Sequence, residues 1–447
     1  MATKNATINV NHLTRVEGHG NIVVNVKEGT VEKCEWQVPE APRFFEAMVR
    51  GRHYSEVARI TSRICGICSV GHTLASLKAS EAALGIKVSE QTDLLRRILK
   101  HAENFDSHVL HVYFLVAPDL LGVPSVFPLV PTHGDVVKRA LRMKRLGHEW
   151  GSLIGGRTTH PTRAIVGGFA SLPGGARTPR QAEAKLVELK EKLLGCVPDA
   201  VETYKTLLSL AGGIPAFTRE TEYIALVDDV EYGLYDGKVG CFMPDGSQEI
   251  FDVEDYRSVT NEFVVDQSTA KFAKHNLPSY MTGALARFNN NHERLHPEAK
   301  KLAVGLGLTA PCFNPFMNSI AQFVECVHNV YTTVGLIDKL LEIGLKDERP
   351  VEPTKFGRGV GAAEVPRGIL FHEYAYDENG FCTMGNCIIP TNQNHANIQG
   401  DFDELVPWLI EADKNEKEME LGLEMLVRAY DPCISCSTHY LDVTFKK

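Results

Sequence analysis

Near the amino terminus, apolar and polar residues alternate one by one, which is the pattern of a strand with one buried face. The alternation covers residues 7–10, 20–26 and 30–38. Lys27-Glu28-Gly29 lies between the last two segments and supplies the glycine that a tight turn favours. The sequence therefore predicts that the chain starts with short strands, two of which form a β-hairpin.

Most of the remaining chain has apolar residues at three- and four-residue intervals, which is typical of amphipathic helices. This spacing covers residues 44–51, 73–84, 91–115, 132–153, 178–210, 292–304, 318–343, 404–412 and 417–429. Residues 232–264 are predicted as strand and loop, and residues 367–389 as a hairpin with Asp377-Glu378-Asn379-Gly380 at its tip. No repeat, low-complexity run or linker divides the chain. We expect one helix-dominated α+β domain over residues 1–447, a bundle of long helices with small β-hairpins.

Charge and composition exclude several classes of function. A net charge of −9 leaves no basic face for nucleic acid. The amino terminus lacks the apolar core of a signal peptide, and the best membrane-span candidate, residues 109–131, is interrupted by Asp119 and four prolines. Eleven cysteines in such a chain suit a reducing compartment. We therefore expect a cytoplasmic protein with no membrane span and no nucleic-acid partner.

Two Cys-x-x-Cys pairs carry the clearest chemical signal. Cys65 and Cys68 lie near one end of the chain, and Cys433 and Cys436 lie near the other. Two intervening residues let both thiolates of a pair reach one ion, so the two pairs supply four soft ligands. Because nearly the whole chain lies between them, the fold itself must close around the metal, which favours a buried catalytic centre.

Two other interpretations of the cysteine pairs are weaker. A structural zinc site is the first, but zinc ribbons usually place their pairs about 15–20 residues apart. Disulfides are the second. They are disfavoured because cysteines separated by two residues close strained loops and because the composition indicates a reducing compartment.

Distinctive motifs surround these cysteines and follow one another along the chain. In order they are Arg15-Val16-Glu17-Gly18-His19, Arg63-Ile64-Cys65-Gly66-Ile67-Cys68-Ser69-Val70-Gly71-His72, Glu364-Val365-Pro366-Arg367-Gly368, Pro390-Thr391 and Asp431-Pro432-Cys433-Ile434-Ser435-Cys436-Ser437-Thr438-His439. In order and spacing the set resembles the large, catalytic subunit of nickel–iron hydrogenases, over residues 11–439. Pro42-Arg43-Phe44-Phe45-Glu46 and Val427-Arg428-Ala429-Tyr430 are most similar to its cytoplasmic, bidirectional group, which is linked to NAD(P), coenzyme F420 or heterodisulfide reductase.

The resemblance implies the fold of that family and reversible heterolytic cleavage of H2 to protons and electrons. It makes Cys65 and Cys433 terminal nickel ligands, and Cys68 and Cys436 bridges between nickel and an iron. That iron is expected to carry carbon monoxide and cyanide. Thiolates suit the task because a sulfur-rich site lets nickel change its oxidation state.

Heterolytic cleavage releases a proton, so a base must lie near the metals. The resemblance makes the Cys433 thiolate the first acceptor and Glu17 the group that passes the proton outward. The alternative for Glu17 is a salt bridge with Arg15 or Arg63.

Arg367 is a further catalytic candidate. Its guanidinium is expected to overhang the open metal position, where it would polarise the bound molecule or act as a base despite its high intrinsic pKa. The alternative, a structural pairing with Asp431, is compatible with either role.

Further motif residues are expected around the centre. His72 lies one helical turn beyond Cys68 and is expected to hydrogen-bond its sulfur. A second group resembles the residues that line the iron's diatomic ligands, with the Thr391 hydroxyl as a donor. This group, together with the partner of its arginine, comprises Pro366, Arg367, Pro390, Thr391 and Asp431.

Glu46 and His439 resemble two ligands of a separate magnesium or iron ion near the carboxyl terminus. A carboxylate and an imidazole do not decide between these two metals. Residues 440–447 follow the histidine after which precursors in the family are often cleaved, so this extension is either retained or removed on maturation.

One residue departs from the family pattern. Many relatives have an aspartate just before a helical histidine, where this chain has Ser107. Asp106 is adjacent, but on a helix it points about 100° away from Ser107. We therefore do not expect Asp106 at the centre.

The other cysteines show no cluster spacing, so we expect no iron–sulfur cluster in this chain. Nor does Gly357-Arg358-Gly359-Val360-Gly361 have the strand and helix around it that a nucleotide-binding loop requires. Electrons would leave through a small hydrogenase subunit with iron–sulfur clusters, and then through a diaphorase or heterodisulfide-reductase-type module. The alternatives are a zinc-binding scaffold subunit of a redox complex, a hydrogen sensor and a membrane-attached hydrogenase.

Overall fold

The described chain begins with an antiparallel sheet whose burial follows the sequence alternation. The computed structural model describes residues 5–438. β1 (Ala6–Val10), β2 (Asn21–Lys27) and β3 (Thr30–Gln37) pair in that order. Glu28 and Gly29 adopt φ angles of 50° and 80°, which close the turn between β2 and β3. The predicted amino-terminal hairpin is therefore confirmed.

Helices form most of the rest of the described chain. They are α1 (Phe45–Val49), α2 (Tyr54–Thr61), α3 (Ser69–Leu84), α4 (Glu90–Leu110), α5 (Ala117–Leu120), α6 (Gly134–Gly155), α7 (Pro179–Gly195), α8 (Val197–Leu210), α9 (Tyr256–Val259), α10 (Ala284–Asn291), α11 (Pro297–Gly305), α12 (Asn318–Ile343), α13 (Pro390–Glu411), α14 (Glu416–Ala429) and α15 (Ile434–Ser437). The long helix α4 packs against both α6 and α12, and this confirms the predicted helix-dominated α+β fold. Within residues 5–438, none of these helices combines the length and the apolar character that a membrane crossing needs.

Local signals fix the ends of the helices near the cysteine motifs. α3 ends at Gly85, whose φ of 64° is the left-handed cap that glycine adopts at low cost. α4 begins at Ser89, whose side chain accepts a hydrogen bond from the Thr92 amide over 3.1 Å. At its other end, α4 runs into a π-helical turn over His111–Val116, a local distortion that is frequent at functional sites.

Small sheets complete the described fold. Their strands are β4 (Ala164–Ile165), β5 (Gly168–Phe169), β6 (Glu222–Val227), β7 (Lys238–Phe242), β8 (Gln248–Phe251), β9 (Asn261–Phe263), β10 (Phe272–Lys274), β11 (Tyr280–Met281), β12 (Arg358–Val365), β13 (Gly368–Tyr376) and β14 (Cys382–Ile388). Strands β11-β6-β7-β8 form one sheet and β12-β13-β14 another, while β4–β5 and β9–β10 form pairs. The β12–β13 turn lies at Pro366 and Arg367, and both strands pack on α3.

Several elements differ from the sequence prediction. The helix predicted over residues 178–210 is broken at Cys196, two residues before the proline in the first turn of α8. Strands β6 and β12 were not predicted because they are buried along nearly their whole length and lack alternation. α13 begins at Pro390 rather than near residue 404, because its first turns bury hydrogen-bonded polar side chains that hide the apolar spacing.

Gly361 on β12 lies where this strand packs closely against α3. A Cβ at this position would lie 2.4 Å from the Ala79 amide nitrogen and 2.5 Å from the Ala75 carbonyl oxygen. Because backbone atoms cannot turn aside, Gly361→Ala should lower the free energy of unfolding by about 1–3 kcal/mol. Thermal denaturation of the variant and the parent protein measures this loss, and equal transition temperatures would contradict the expected clash.

Gly335→Ala is the matched control, since Gly335 lies on exposed α12 surface with no other atom near its Cβ position. It should raise the free energy of unfolding by about 0.5–1 kcal/mol, because alanine loses less backbone freedom than glycine in a helix.

Candidate metal centre

The structure brings both Cys-x-x-Cys pairs to one buried point. Cys65 follows a 3₁₀ turn over Ser62–Ile64, and Cys68 is the residue before α3. Cys433 precedes α15 and Cys436 lies within it. The sulfur atoms of all four lie within 4.8 Å of one another, and each residue is at most 3% exposed.

Backbone hydrogen bonds hold the two ends of the chain together at this point. The amide of Ile434 donates to the carbonyl oxygen of Glu17 over 2.9 Å. The Arg43 guanidinium donates to the Ile64 carbonyl over 2.9 Å and also to the Ser435 carbonyl, so one side chain links the segments that carry the two pairs. Sequence reasoning missed this role of Arg43, although the residue lies in a motif that supported the family resemblance.

The environment of Cys65 favours its thiolate. Its sulfur accepts hydrogen bonds from the backbone amides of Ile67 and Cys68 over 3.2 and 2.9 Å. Burial opposes ionisation, but a side-chain hydrogen bond with Cys68 and the positive charge of Arg367 together lower the pKa of the Cys65 thiol. The Cys65 sulfur also lies 3.6 Å from the Cys433 sulfur, which links the two pairs directly.

The sulfur atoms of Cys433 and Cys436 lie in direct contact with each other. The expectation that neither pair forms a disulfide stays a prediction. The start of α15 brings the two residues together, with their Cα atoms 5.5 Å apart. Metal binding by this pair requires the two thiolates.

Glu17 lies directly beside the Cys433 sulfur. Its Oε2 atom is 3.2 Å from that sulfur and accepts a hydrogen bond from the Ser435 amide over 3.1 Å. The Ser435 hydroxyl donates to the other carboxylate oxygen. Among the described residues, the ion pair of Arg15 is with Asp119 rather than with Glu17. The half-buried Glu17 carboxylate thus joins the centre to the outside.

Arg367 is held over the cysteines by fixed partners. Its guanidinium donates to the Asp431 carboxylate over 2.7 Å, to the Asp431 carbonyl over 2.8 Å and to the Ser107 hydroxyl over 3.1 Å. Burial opposes the charged form, but Asp431 and the nearby Cys68 and Cys65 sulfurs together raise the pKa of Arg367 above its ordinary value. Ser107, the residue that departs from the family pattern, therefore faces Arg367. Asp106 instead forms an ion pair of 2.6 Å with Lys144.

The remaining expected residues lie in the surrounding structure. The Thr391 hydroxyl oxygen accepts a hydrogen bond from the Cys433 amide over 3.0 Å, which leaves its proton available as a donor. Pro390 opens α13, and the Pro366 carbonyl accepts a hydrogen bond from Arg287. His72 is fully buried, with Nδ1 located 3.1 Å from Nε2 of His372; its bond to the Cys68 sulfur stays a prediction.

The predicted second metal site is only partly described. Glu46 lies in α1 and is 2% exposed. His439 lies outside the described residues, as does the extension over 440–447. The pairing of Glu46 with His439 therefore stays a prediction.

A buried charge network beneath Arg367 was not foreseen. The Arg287 guanidinium donates to Glu325 over 2.6 and 2.7 Å and to Glu364 over 2.7 Å. It also donates to the carbonyls of Val365 and Pro366, the residues just before Arg367. The partners come from distant segments, so only the presence of charged residues among apolar ones could have signalled this network.

The donor set fits a transition-metal centre. Four buried sulfur donors are soft ligands, and soft ligands select nickel, iron or zinc over magnesium or calcium. Arg367 supplies a fixed positive charge beside these donors, and Glu17 supplies a carboxylate within reach of one sulfur. The arrangement can hold a metal, exclude bulk water and move a proton.

Comparison with known families gives two matches. The family model described as nickel-dependent hydrogenase matches residues 43–138 and 280–439. A second model, described as HoxL-like, matches residues 7–41. Together the matched segments include every residue expected at the centre.

Individual relatives match over almost their full length. The chain is 33% identical to the alpha chain of sulfhydrogenase 1 from Pyrococcus furiosus, covering 97% of both proteins. It is 31% identical to one chain of the F420-non-reducing hydrogenase from Methanothermobacter thermautotrophicus, over 96% of this chain and 94% of that protein. The solved structure of an H2-reduced, NAD+-reducing NiFe-hydrogenase aligns with a TM-score of 0.83 and 26% identity, covering 98% of this chain and 100% of that chain.

His395 gives a pH-dependent test of how the carboxyl-terminal cysteine helix is held. Its Nδ1 accepts a hydrogen bond from the Trp36 indole over 3.0 Å, and its Nε2 lies 2.8 Å from the Ser437 hydroxyl. Burial lowers the pKa of His395 to about 3, whereas an unfolded histidine has a pKa of about 6.5. Unfolding below pH about 6.5 therefore takes up a proton, and this contribution to stability is lost as the pH falls towards about 3.

We expect the stability advantage of the parent protein over His395→Gln to shrink by about 1.4 kcal/mol for each pH unit below about 6.5. Chemical denaturation of both proteins between about pH 5.5 and 7.5 measures the difference across the titration of an unfolded histidine. A constant difference across this range would show that His395 is not held neutral in the folded state.

Proposed function

Since the chain belongs to the nickel-dependent hydrogenase family, we propose that its two Cys-x-x-Cys pairs hold the nickel–iron centre of a hydrogenase catalytic subunit. The observation that carries the proposal is the meeting of four buried sulfur atoms, from opposite ends of the chain, within 4.8 Å. Cys65, Cys433, Cys68 and Cys436 would together hold the nickel and the iron. When bound, the centre supplies the redox chemistry that splits H2 into protons and electrons. Carbon monoxide and cyanide would be further ligands of the iron.

In this proposal, Cys433 and Glu17 carry the proton away from the metals. The Cys433 sulfur takes the proton, and the Glu17 carboxylate, with Oε2 located 3.2 Å away, receives it next. The Ser435 amide and hydroxyl hold that carboxylate towards the sulfur and fix its orientation. Cys433 is buried, at 2% exposed, whereas Glu17 is half-buried. The Glu17 carboxylate therefore passes the proton from the buried centre towards solvent.

Arg367 acts as a fixed positive charge over the centre. Asp431 and Ser107 hold its guanidinium, so the charge does not need to reorganise during the reaction. Its raised pKa favours the role of a permanent cation over that of a base. We therefore assign Arg367 to orienting and polarising the bound molecule.

The residues beside the cysteines complete the environment of the iron. Pro366 and Pro390 supply apolar surface, and the Thr391 hydroxyl proton is available to a cyanide nitrogen. His72 tunes the Cys68 sulfur from the buried side of α3. We further propose that Glu46 and His439 hold a separate magnesium or iron ion.

Electrons must leave through another chain, because the remaining cysteines of this sequence are not spaced as cluster ligands. The partner is a small subunit with iron–sulfur clusters, joined to a diaphorase or heterodisulfide-reductase-type module. The solved relative described above is NAD+-reducing, and the archaeal relatives include sulfhydrogenases, so related chains work with different acceptors. We propose a cytoplasmic complex of this kind.

Metal analysis with Cys433→Ser tests the proposal. The purified complex should contain nickel and iron together with H2-dependent redox activity, and Cys433→Ser should lose the nickel, since a hydroxyl is a poor ligand for a soft metal site. Cys387→Ser is the matched control: this buried thiol packs beside the four cysteines, and its substitution should leave nickel in place. A fully nickel-loaded, active Cys433→Ser complex would refute the ligand assignment, and zinc in place of nickel in the active parent complex would refute the function.

Glu17→Gln tests the proton path. The variant should keep its nickel and iron but lose about a hundredfold or more in the rate of isotope exchange between D2 and water, because glutamine cannot accept the proton. Mass spectrometry of the evolved gas measures this rate, and Glu35→Gln on β3, whose carboxylate contacts Lys33 and Gln37, serves as the control. An exchange rate equal to that of the parent would remove Glu17 from the path.

A further inference from the structure

A second group of metal-binding side chains lies outside the four-cysteine centre. It consists of Glu222 on β6, Cys241 on β7 and His275 just after β10. One carboxylate oxygen, the sulfur and one imidazole nitrogen of these residues lie within 4.8 Å of one another. Glu222 and Cys241 are fully buried, and the His275 side chain is 8% exposed.

The register of the sheet explains why these side chains meet. Cys241 is paired with Ile224 across β6 and β7. Residues two apart on a strand face the same side, and directly paired residues share a side, so Glu222 and Cys241 lie on one face. The chain then passes from β10 to β11, which pairs with β6 at Glu222, and this passage brings His275 over the same face.

The electrostatics of Glu222 are unusual for a purely structural carboxylate. Its side chain is 0% exposed, and within the described residues its ion-pair partner is His275, with Nδ1 located 2.6 Å away. The Asn276 amide donates to the other oxygen over 3.2 Å. Buried carboxylates are costly unless they are paired or bind a metal.

We propose that Glu222, Cys241 and His275 bind a zinc ion that is separate from the nickel–iron centre. Carboxylate oxygen, thiolate sulfur and imidazole nitrogen are all ligands that zinc takes in proteins. One carboxylate and one thiolate neutralise the two charges of Zn²⁺, so the occupied site is neutral and suited to its burial. The Cys241 proton leaves to solvent when the metal binds.

The open side of the site carries a candidate for the fourth ligand. Glu249 is paired with Cys241 across β7 and β8, so its carboxylate is on the face of the cluster. It is exposed, and it accepts a hydrogen bond from the Asn276 side chain over 2.8 Å. This side gives the ion its entry route, and closure by Glu249 would complete four-ligand zinc coordination, with the extra negative charge of its carboxylate on the exposed side of the site, where water screens it. The ion would then tie β6, β7, β8 and the β10–β11 connection together.

Zinc content of the purified complex tests the inference, read beside its nickel content. The parent should hold one zinc for each copy of this chain, and Cys241→Ser should lose that zinc while keeping its nickel. Cys326→Ser is the matched control, because Cys326 is a buried thiol of α12 outside both clusters of metal-binding residues found within 5–438, and it should keep both metals. Absence of zinc from the parent, or equal zinc in the parent and Cys241→Ser, would overturn the proposal.

A spectroscopic measurement on a second variant tests the proposal if the Cys241→Ser complex does not fold. Cobalt(II) is exchanged for zinc in the intact parent complex and in His275→Gln, which keeps the thiol. The parent should show thiolate-to-cobalt charge-transfer absorption beyond that of the nickel–iron centre, and His275→Gln should weaken it. Unchanged absorption in His275→Gln would overturn the assignment. Zinc that disappears in Cys433→Ser but persists in Cys241→Ser would also overturn it, by locating the zinc at the four cysteines.

Discussion

A few hydrogen bonds join the two ends of this chain, and the candidate centre depends on them. Ile434 donates to the carbonyl of Glu17, and Arg43 bridges the carbonyls beside Cys65 and Cys436. Without this closure, each Cys-x-x-Cys pair offers two ligands at most, and the metal would bind to a flexible segment. The requirement that four sulfur atoms meet in the interior thus couples metal binding to the folding of nearly the whole chain.

The buried charges around the cysteines obey a second constraint, since a charge in a dry interior must be paired. Arg367 is neutralised by Asp431, and Arg287 by Glu325 and Glu364. These pairs fix the direction of the Arg367 guanidinium, and the half-buried Glu17 carboxylate contacts the Cys433 sulfur. In the proposed function, the fixed positive charge of Arg367 and the contact of Glu17 with the Cys433 sulfur give protons a defined exit.

The Glu222–Cys241–His275 cluster also brings metal-binding side chains together, but with mixed oxygen, sulfur and nitrogen donors. There the ligands come from adjacent strands of one sheet, so local register rather than closure of the whole chain brings them together. This difference explains why the sequence predicted the four-cysteine cluster but not the Glu222–Cys241–His275 cluster. Cys-x-x-Cys spacing is visible in the order of residues, whereas a glutamate, a cysteine and a histidine in separate segments become neighbours only through strand pairing.

The sequence by itself determined the elements with clear periodicity, such as α12 and the amino-terminal hairpin, and the identity of the four cysteines, because both depend on short-range spacing. The sequence did not predict strands β6 and β12 or the first turns of α13, because full burial or buried polar side chains remove the periodicity there. Only the tertiary structure decided that Ser107 faces Arg367, that Arg43 links the two cysteine segments, and that Arg15 pairs with Asp119 instead of Glu17. These contacts join residues far apart in the chain, and their geometry follows from packing that no local pattern encodes.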